Sequence, residues 1–161
     1  MSSRISDRPF WLPWRPGPVP VEGQPVVVSL TDFRAGHARH LTGIYARGLR
    51  LREGWYALPG AVGMWLWALP LAAGRGGSVS VWESDDALRA FVRLPAHVEI
   101  MRRYRDLGTL RSHTWSMAPF DSNAVRQTAT EWILDGAPGR AHSGTNGPER
   151  PLVSRHDSPA R

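Results

Sequence analysis

Cysteine is absent from this 161-residue chain, and so is lysine: all twenty basic residues are arginine. Without cysteine there are no disulfides, thiolate nucleophiles, iron–sulfur clusters, cysteine zinc sites or thiolate-ligated haem. Without lysine there is no Schiff base and no P-loop lysine. Runs of eighteen apolar residues are missing too, and the start, MSSRISDRPF, has an acid and no apolar centre. Neither a membrane span nor a secretory signal is therefore expected, and a cytoplasmic location is. No Gly-rich phosphate cradle follows a strand pattern, and no G-x-S-x-G elbow occurs.

The formal charge is +6. Residues 26–117 carry twelve arginines against seven acids, whereas the segment after 117 balances five against five. The arginines are dispersed among acids, apart from Arg102, Arg103 and Arg105. A solvated arginine-rich surface, or a few arginines meeting a small anion, fits better than a nucleic-acid face.

Residues 1–25 hold six prolines with Phe10, Trp11 and Trp14 between them, which reads as an extended arm lying on the domain or on a partner subunit. VVVSLT at 26–31 reads as a buried strand, and 36–52 as a helix through Leu41, Ile44, Tyr45 and Leu49. Residues 61–73 alternate Val62, Met64, Leu66 and Ala68 against Trp65, Trp67 and Leu69. Both faces of that strand are apolar. Helices must cover one, and another sheet or subunit the other.

Arg75-Gly76-Gly77 reads as a turn, and SVSVWE at 78–83 as the returning strand of a hairpin. Ser84, with Asp85 and Asp86 after it, starts a second helix that Pro95 kinks or restarts before it stops near Gly108. LRSHTWSM at 110–117 is the last strand, and 123–134 a short amphipathic helix. The expected organisation is an arm at 1–25, a βαββαβ α+β domain at 26–117, a short helix within 118–135 and a disordered tail at 136–161.

The block VSVWESDDALRAFVRLPAHVEIMRRY at 79–104 resembles the dimeric α/β-barrel superfamily, nearest to its antibiotic-biosynthesis-monooxygenase-like and spheroidene-monooxygenase-like members. The resemblance spans about 26–117. It implies a ferredoxin-like sandwich that pairs with a second copy through its sheet, and an oxygenase acting on a hydrophobic small molecule with haem or with no cofactor. The same fold also hosts isomerases and cyclases, and non-catalytic binding or assembly modules. In the haem-degrading relatives, the resemblance places the iron-binding histidine at the register of Met101, one turn from His97.

Two histidines are the candidate catalytic groups, His97 and His113. His97 is a haem-iron ligand or general acid/base on one reading, and a packed histidine bonded to backbone on the other. With Met101 and Tyr104 it forms a helical stripe, and Arg102 or Arg103 would meet an anionic group at its rim. His113 lies mid-strand between Arg111 and Trp115, where a ligand or a wet sheet face would accommodate it. Trp67 and Trp82 are the aromatic walls of the candidate pocket, with Trp65 and Trp115. His37 and His40 form a single H-x-x-H pair, fewer ligands than a metal site needs.

Overall fold

The computed structural model describes residues 8–21, 23–69 and 74–135. The tail expected at 136–161 lies outside them. Six strands and four helices follow in order: β1 (Phe10–Trp11), β2 (Arg15–Pro16), β3 (Val26–Ala35), α1 (Arg39–Glu53), β4 (Ala61–Leu69), β5 (Arg75–Trp82), α2 (Asp85–Val92), α3 (Pro95–Tyr104), β6 (Gly108–Met117) and α4 (Ser122–Asp135). A 3-10 turn, Trp55–Ala57, links α1 to β4.

The strands form one antiparallel sheet in the order β1-β4-β5-β3-β6, with β2 also on β4. The core strands β3 to β6 with their helices have the βαββαβ connectivity and strand order of a ferredoxin-like α+β sandwich. Ser84 caps α2 by accepting from the Ala87 amide at 3.1 Å. Pro95 occupies the first turn of α3, where its missing N–H costs nothing, so the chain restarts there instead of bending.

Three local expectations change. Arg75, Gly76 and Gly77 belong to β5, not to a turn. The glycines serve close approach: a Cβ on Gly77 would collide with the Thr31 carbonyl, and one on Gly76 would lie 2.7 Å from the Tyr45 hydroxyl. β3 runs past Thr31 to Ala35, because Asp32 finds buried partners. A bulge between Ala61 and Gly63 turns Val62 onto the face of Trp65 and Trp67, away from Met64 and Leu66.

Each sheet face has its own core. One packs Val27, Ala61, Met64, Leu66 and Trp82 beneath Trp55 and Phe91 on the helix side. The other packs Val26, Val28, Leu30, Val62, Trp65, Trp67, Val79 and Val81 against Val125, Ala129, Trp132 and Ile133 of α4, with Trp11 and Trp14 of the arm beside them. The second cover was expected from a partner's sheet. The chain's own α4 and arm supply it, and Trp65 and Trp67 are buried within one chain. No helix among the described residues is long and apolar enough to cross a membrane.

Candidate functional site

On the helix side, the strand register gathers hydroxyls into two rows. Ser80, Ser29 and Thr114 align across β5, β3 and β6, and Ser78, Thr31 and Ser112 align in the next row. Thr31 Oγ1 and Ser78 Oγ share a 2.8 Å hydrogen bond, and Ser80 Oγ accepts from Trp82 Nε1 at 2.9 Å. Ser112 and Thr114 are exposed, so the β6 end of the rows is open. The cover is loose: no residue of α1 is fully buried. A polar patch under a loosely packed helix can take a ligand's oxygens without displacing core side chains.

After the restart at Pro95, His97 is half-buried against Phe91. Its ring lies 4.6 Å from that of Phe91, which continues the cluster of Trp82 and Trp55. Nδ1 is 3.2 Å from the Val92 carbonyl oxygen. A carbonyl only accepts, so Nδ1 carries the proton and Nε2 keeps its lone pair. Burial lowers the pKa of His97, and the hydrogen bond to Val92 opposes that only in part. Burial thus favours the neutral imidazole and the bond to Val92 orients it, as either a proton acceptor or a metal ligand needs.

The other helix-side candidates separate. Tyr104 is buried beside Phe33 and Arg47, with its hydroxyl over Gly43. Met101, Arg102 and Arg103 are exposed. Trp82 is fully buried and its indole N–H is used by Ser80, so it is a core residue rather than a pocket wall. Trp55 Nε1 is buried here with no protein partner among the described residues, a donor that sequence reasoning did not single out.

Trp67 and His113 lie on the opposite face from His97. The Trp67 indole crosses Gly77 and donates to the Thr31 carbonyl at 3.2 Å, fully buried, so it lines no site with His97. His113 stacks at 5.3 Å on Trp115 and at 5.9 Å on Trp132 of α4. Arg111 rests 4.6 Å over Trp132 and donates to Asp32. The costly polar face expected at β6 is thus covered by α4. Asp32 takes both Arg75 and Arg111; burial pushes its pKa up, but the bonds and charges of the two guanidiniums outweigh it and hold the carboxyl below its ordinary value. Arg75 also donates to the Ile133 carbonyl at 2.6 Å, tying α4 down.

Between the arm and the start of α4, on this same face, Trp11, Trp14, Trp65 and Phe120 wall a cavity of about 520 Å3. His37 and His40 face each other at 5.9 Å, and no group of three or more metal-ligating side chains occurs among the described residues. The hydroxyl rows did leave a trace in the sequence, as Ser and Thr at every second position of VVVSLT, SVSV and LRSHTWS.

No family model and no curated protein matches the chain. Solved structures do. A heme-degrading enzyme from Listeria monocytogenes is similar at 15% identity and TM-score 0.53, over 73% of this chain and 74% of that one. A proposed antibiotic biosynthesis monooxygenase from Deinococcus radiodurans is similar at 15% identity and TM-score 0.52, over 60% of this chain and 96% of that one. SnoaB, a cofactor-independent oxygenase from Streptomyces nogalater, aligns at 19% identity and TM-score 0.48, over 60% and 96%. At these identities the likeness is one of architecture, and the core of this chain has the ferredoxin-like fold of the antibiotic-biosynthesis-monooxygenase-like proteins.

Proposed function

We propose that the protein is an oxygenase-like enzyme acting on a hydrophobic small molecule held between the sheet and α1 to α3, with His97 as its base. The observation that carries this reading is the 3.2 Å contact of His97 Nδ1 with the Val92 carbonyl, which leaves Nε2 available beside an aromatic cluster. A phenolic or enolisable substrate gives its proton to Nε2, and the resulting anion is electron-rich enough to react with O2. When a methylene becomes a carbonyl, one oxygen atom enters the product and the other leaves as water, so O2 is the only oxidant required. The hydroxyl rows would accept and donate to the substrate's oxygens.

His97 Nε2 also fits an iron ligand, and haem, when bound, would supply iron chemistry on O2, with His97 holding it and Arg102 or Arg103 meeting its carboxylates. Titration with haemin separates the two forms: stoichiometric uptake with a sharp Soret band supports the haem form, and a flat titration supports the cofactor-free one. In either form, His97→Gln should lower turnover by about 10²- to 10⁴-fold. Unchanged turnover and haemin uptake in that variant would make His97 a packing residue. An isomerase or cyclase would use the same base, and is distinguished by turnover without O2 consumption.

A non-catalytic binding role is the second reading. It is favoured by the aromatic cavity on the other face, whose lining holds no His, Asp, Glu or Tyr and only Ser122 and Arg126 as polar side chains.

A further inference from the structure

The arm pairs with β4 in two short pieces. Leu12 donates to the Leu66 carbonyl at 2.9 Å, and pairing resumes at Arg15 opposite Met64. Between them stands Pro13, which has no N–H to give the ladder, so the chain arches off the sheet there. The arch and the first turns of α4 flank an open cleft of about 520 Å3, within the range that holds a small organic ligand.

Its walls are aromatic and set at different angles. Trp14 leans on Trp65 at 4.2 Å and 54°, Trp11 meets Trp65 edge-on at 6.5 Å, and Phe120 lies 5.8 Å from Trp14. Indole and phenyl faces in such an arrangement offer a flat guest both stacking and edge contacts. One cation stands at the opening. Arg126 holds its guanidinium 5.5 Å from the Trp11 ring, is exposed, and has no carboxylate partner among the described residues. The nearest acid in sequence to the lining, Asp121, is engaged elsewhere: its Oδ1 accepts from the Asn123 and Ala124 amides at 2.9 and 3.2 Å, capping α4. Ser122, also in the lining, offers a hydroxyl.

We infer that this pocket binds a planar aromatic molecule bearing an anionic group, the ring system between Trp11, Trp14, Trp65 and Phe120 and the anion on Arg126. The site is separate from His97, which lies on the other side of the sheet, and it is built by the arm and the start of α4 over Trp65 of β4.

The test uses the full chain, with 2-anthracenecarboxylate as a fluorescent probe and its methyl ester as the uncharged control. Saturable quenching of tryptophan emission with energy transfer to the probe is expected. Arg126→Gln, a change at an exposed residue, should weaken carboxylate binding by about tenfold and leave the ester within about twofold. Trp14→Ala should weaken both, and His97→Gln neither. The inference is overturned by an absence of saturable binding, by carboxylate affinity that ignores Arg126→Gln, or by binding that His97→Gln removes while the Trp14 and Arg126 variants keep it. The last result would place the ligand on the helix side, in accord with the proposed enzyme site.

Discussion

Asp32 is the residue on which the second face turns. Its carboxylate is 1% exposed and bonded to two guanidiniums, Arg75 at 2.7 Å and Arg111 at 2.5 Å, and Arg75 is itself only 10% exposed. Removing one member of such a group leaves a charge buried without its partner, which costs more than the pair contributes. Asp32→Ala should therefore lower unfolding free energy by about 3–5 kcal/mol, measured by urea denaturation, while Arg111→Ala, which removes a half-exposed partner, should cost distinctly less. The same carboxyl sets a pH limit. Its folded pKa lies below the ordinary 3.8, so its contribution is complete above that value and is lost as pH falls through the lowered one. His97 acts in the same direction at higher pH. Its folded pKa is below 6.5, so the unfolded chain takes up a proton that the folded chain resists, and stability declines as pH falls from 6.5 toward the lowered value. If His97 is the base, the acid limb of the pH–rate profile should lie below 6.5. A limb at or above 6.5 would assign the base to another group.

Among the elements, the arm depends on one glycine. The Trp14 ring lies directly over Gly63 of β4, where any Cβ would collide with it. Gly63→Val should eject Trp14 from Trp65, open the pocket and free the amides of Leu12, Gly17 and Val19, which bond to the Leu66, Val62 and Ala61 carbonyls. Hydrogen exchange should then speed at those three amides while β3 and β5 stay protected; unchanged exchange would show that the arm is held by other contacts. Trp14's aromatic character was legible in the sequence, but its resting place was not. Strands with β-branched runs, the Ser84 cap and the restart at Pro95 declare themselves through nearest neighbours. The Asp32 cluster joins residues 43 and 79 positions apart, and no local pattern marks such a distance. The bulge at Val62 is likewise decided by pairing with β5, and strict alternation put Val62 on the wrong face. For the candidate site, Pro95 marked where the helix restarts, but not that His97 would rest half-buried against Phe91. The opposite placement of Trp67 followed from its strand phase, once the cover of each face is known.

For the whole molecule, that cover bears on how copies of the chain can meet. A strand apolar on both sides demands two covers, and a second subunit's sheet was one way to provide them. Here the outer face, with Val62, Trp65, Trp67, Val79 and Val81, is sealed by Val125, Ala129, Trp132 and Ile133 of α4 and by Trp11 and Trp14. Burial at about 25 cal/mol per Å2 of apolar area is then satisfied inside one chain. A sheet-to-sheet dimer would first have to lift α4, breaking Arg75 from the Ile133 carbonyl and Arg111 from Trp132. The full chain should therefore run as a monomer at micromolar concentration in light scattering. A fragment of residues 26–117 lacks α4 and the arm and exposes that whole face, an apolar patch larger than monomers ordinarily tolerate. It should self-associate, and adding back 118–135 should reduce that association in proportion to the face α4 covers. A full-chain dimer that survives the Asp32→Ala change would show that copies meet through another surface, such as the outer edge of β6. One that dissociates with it would show that α4 is exchanged between chains.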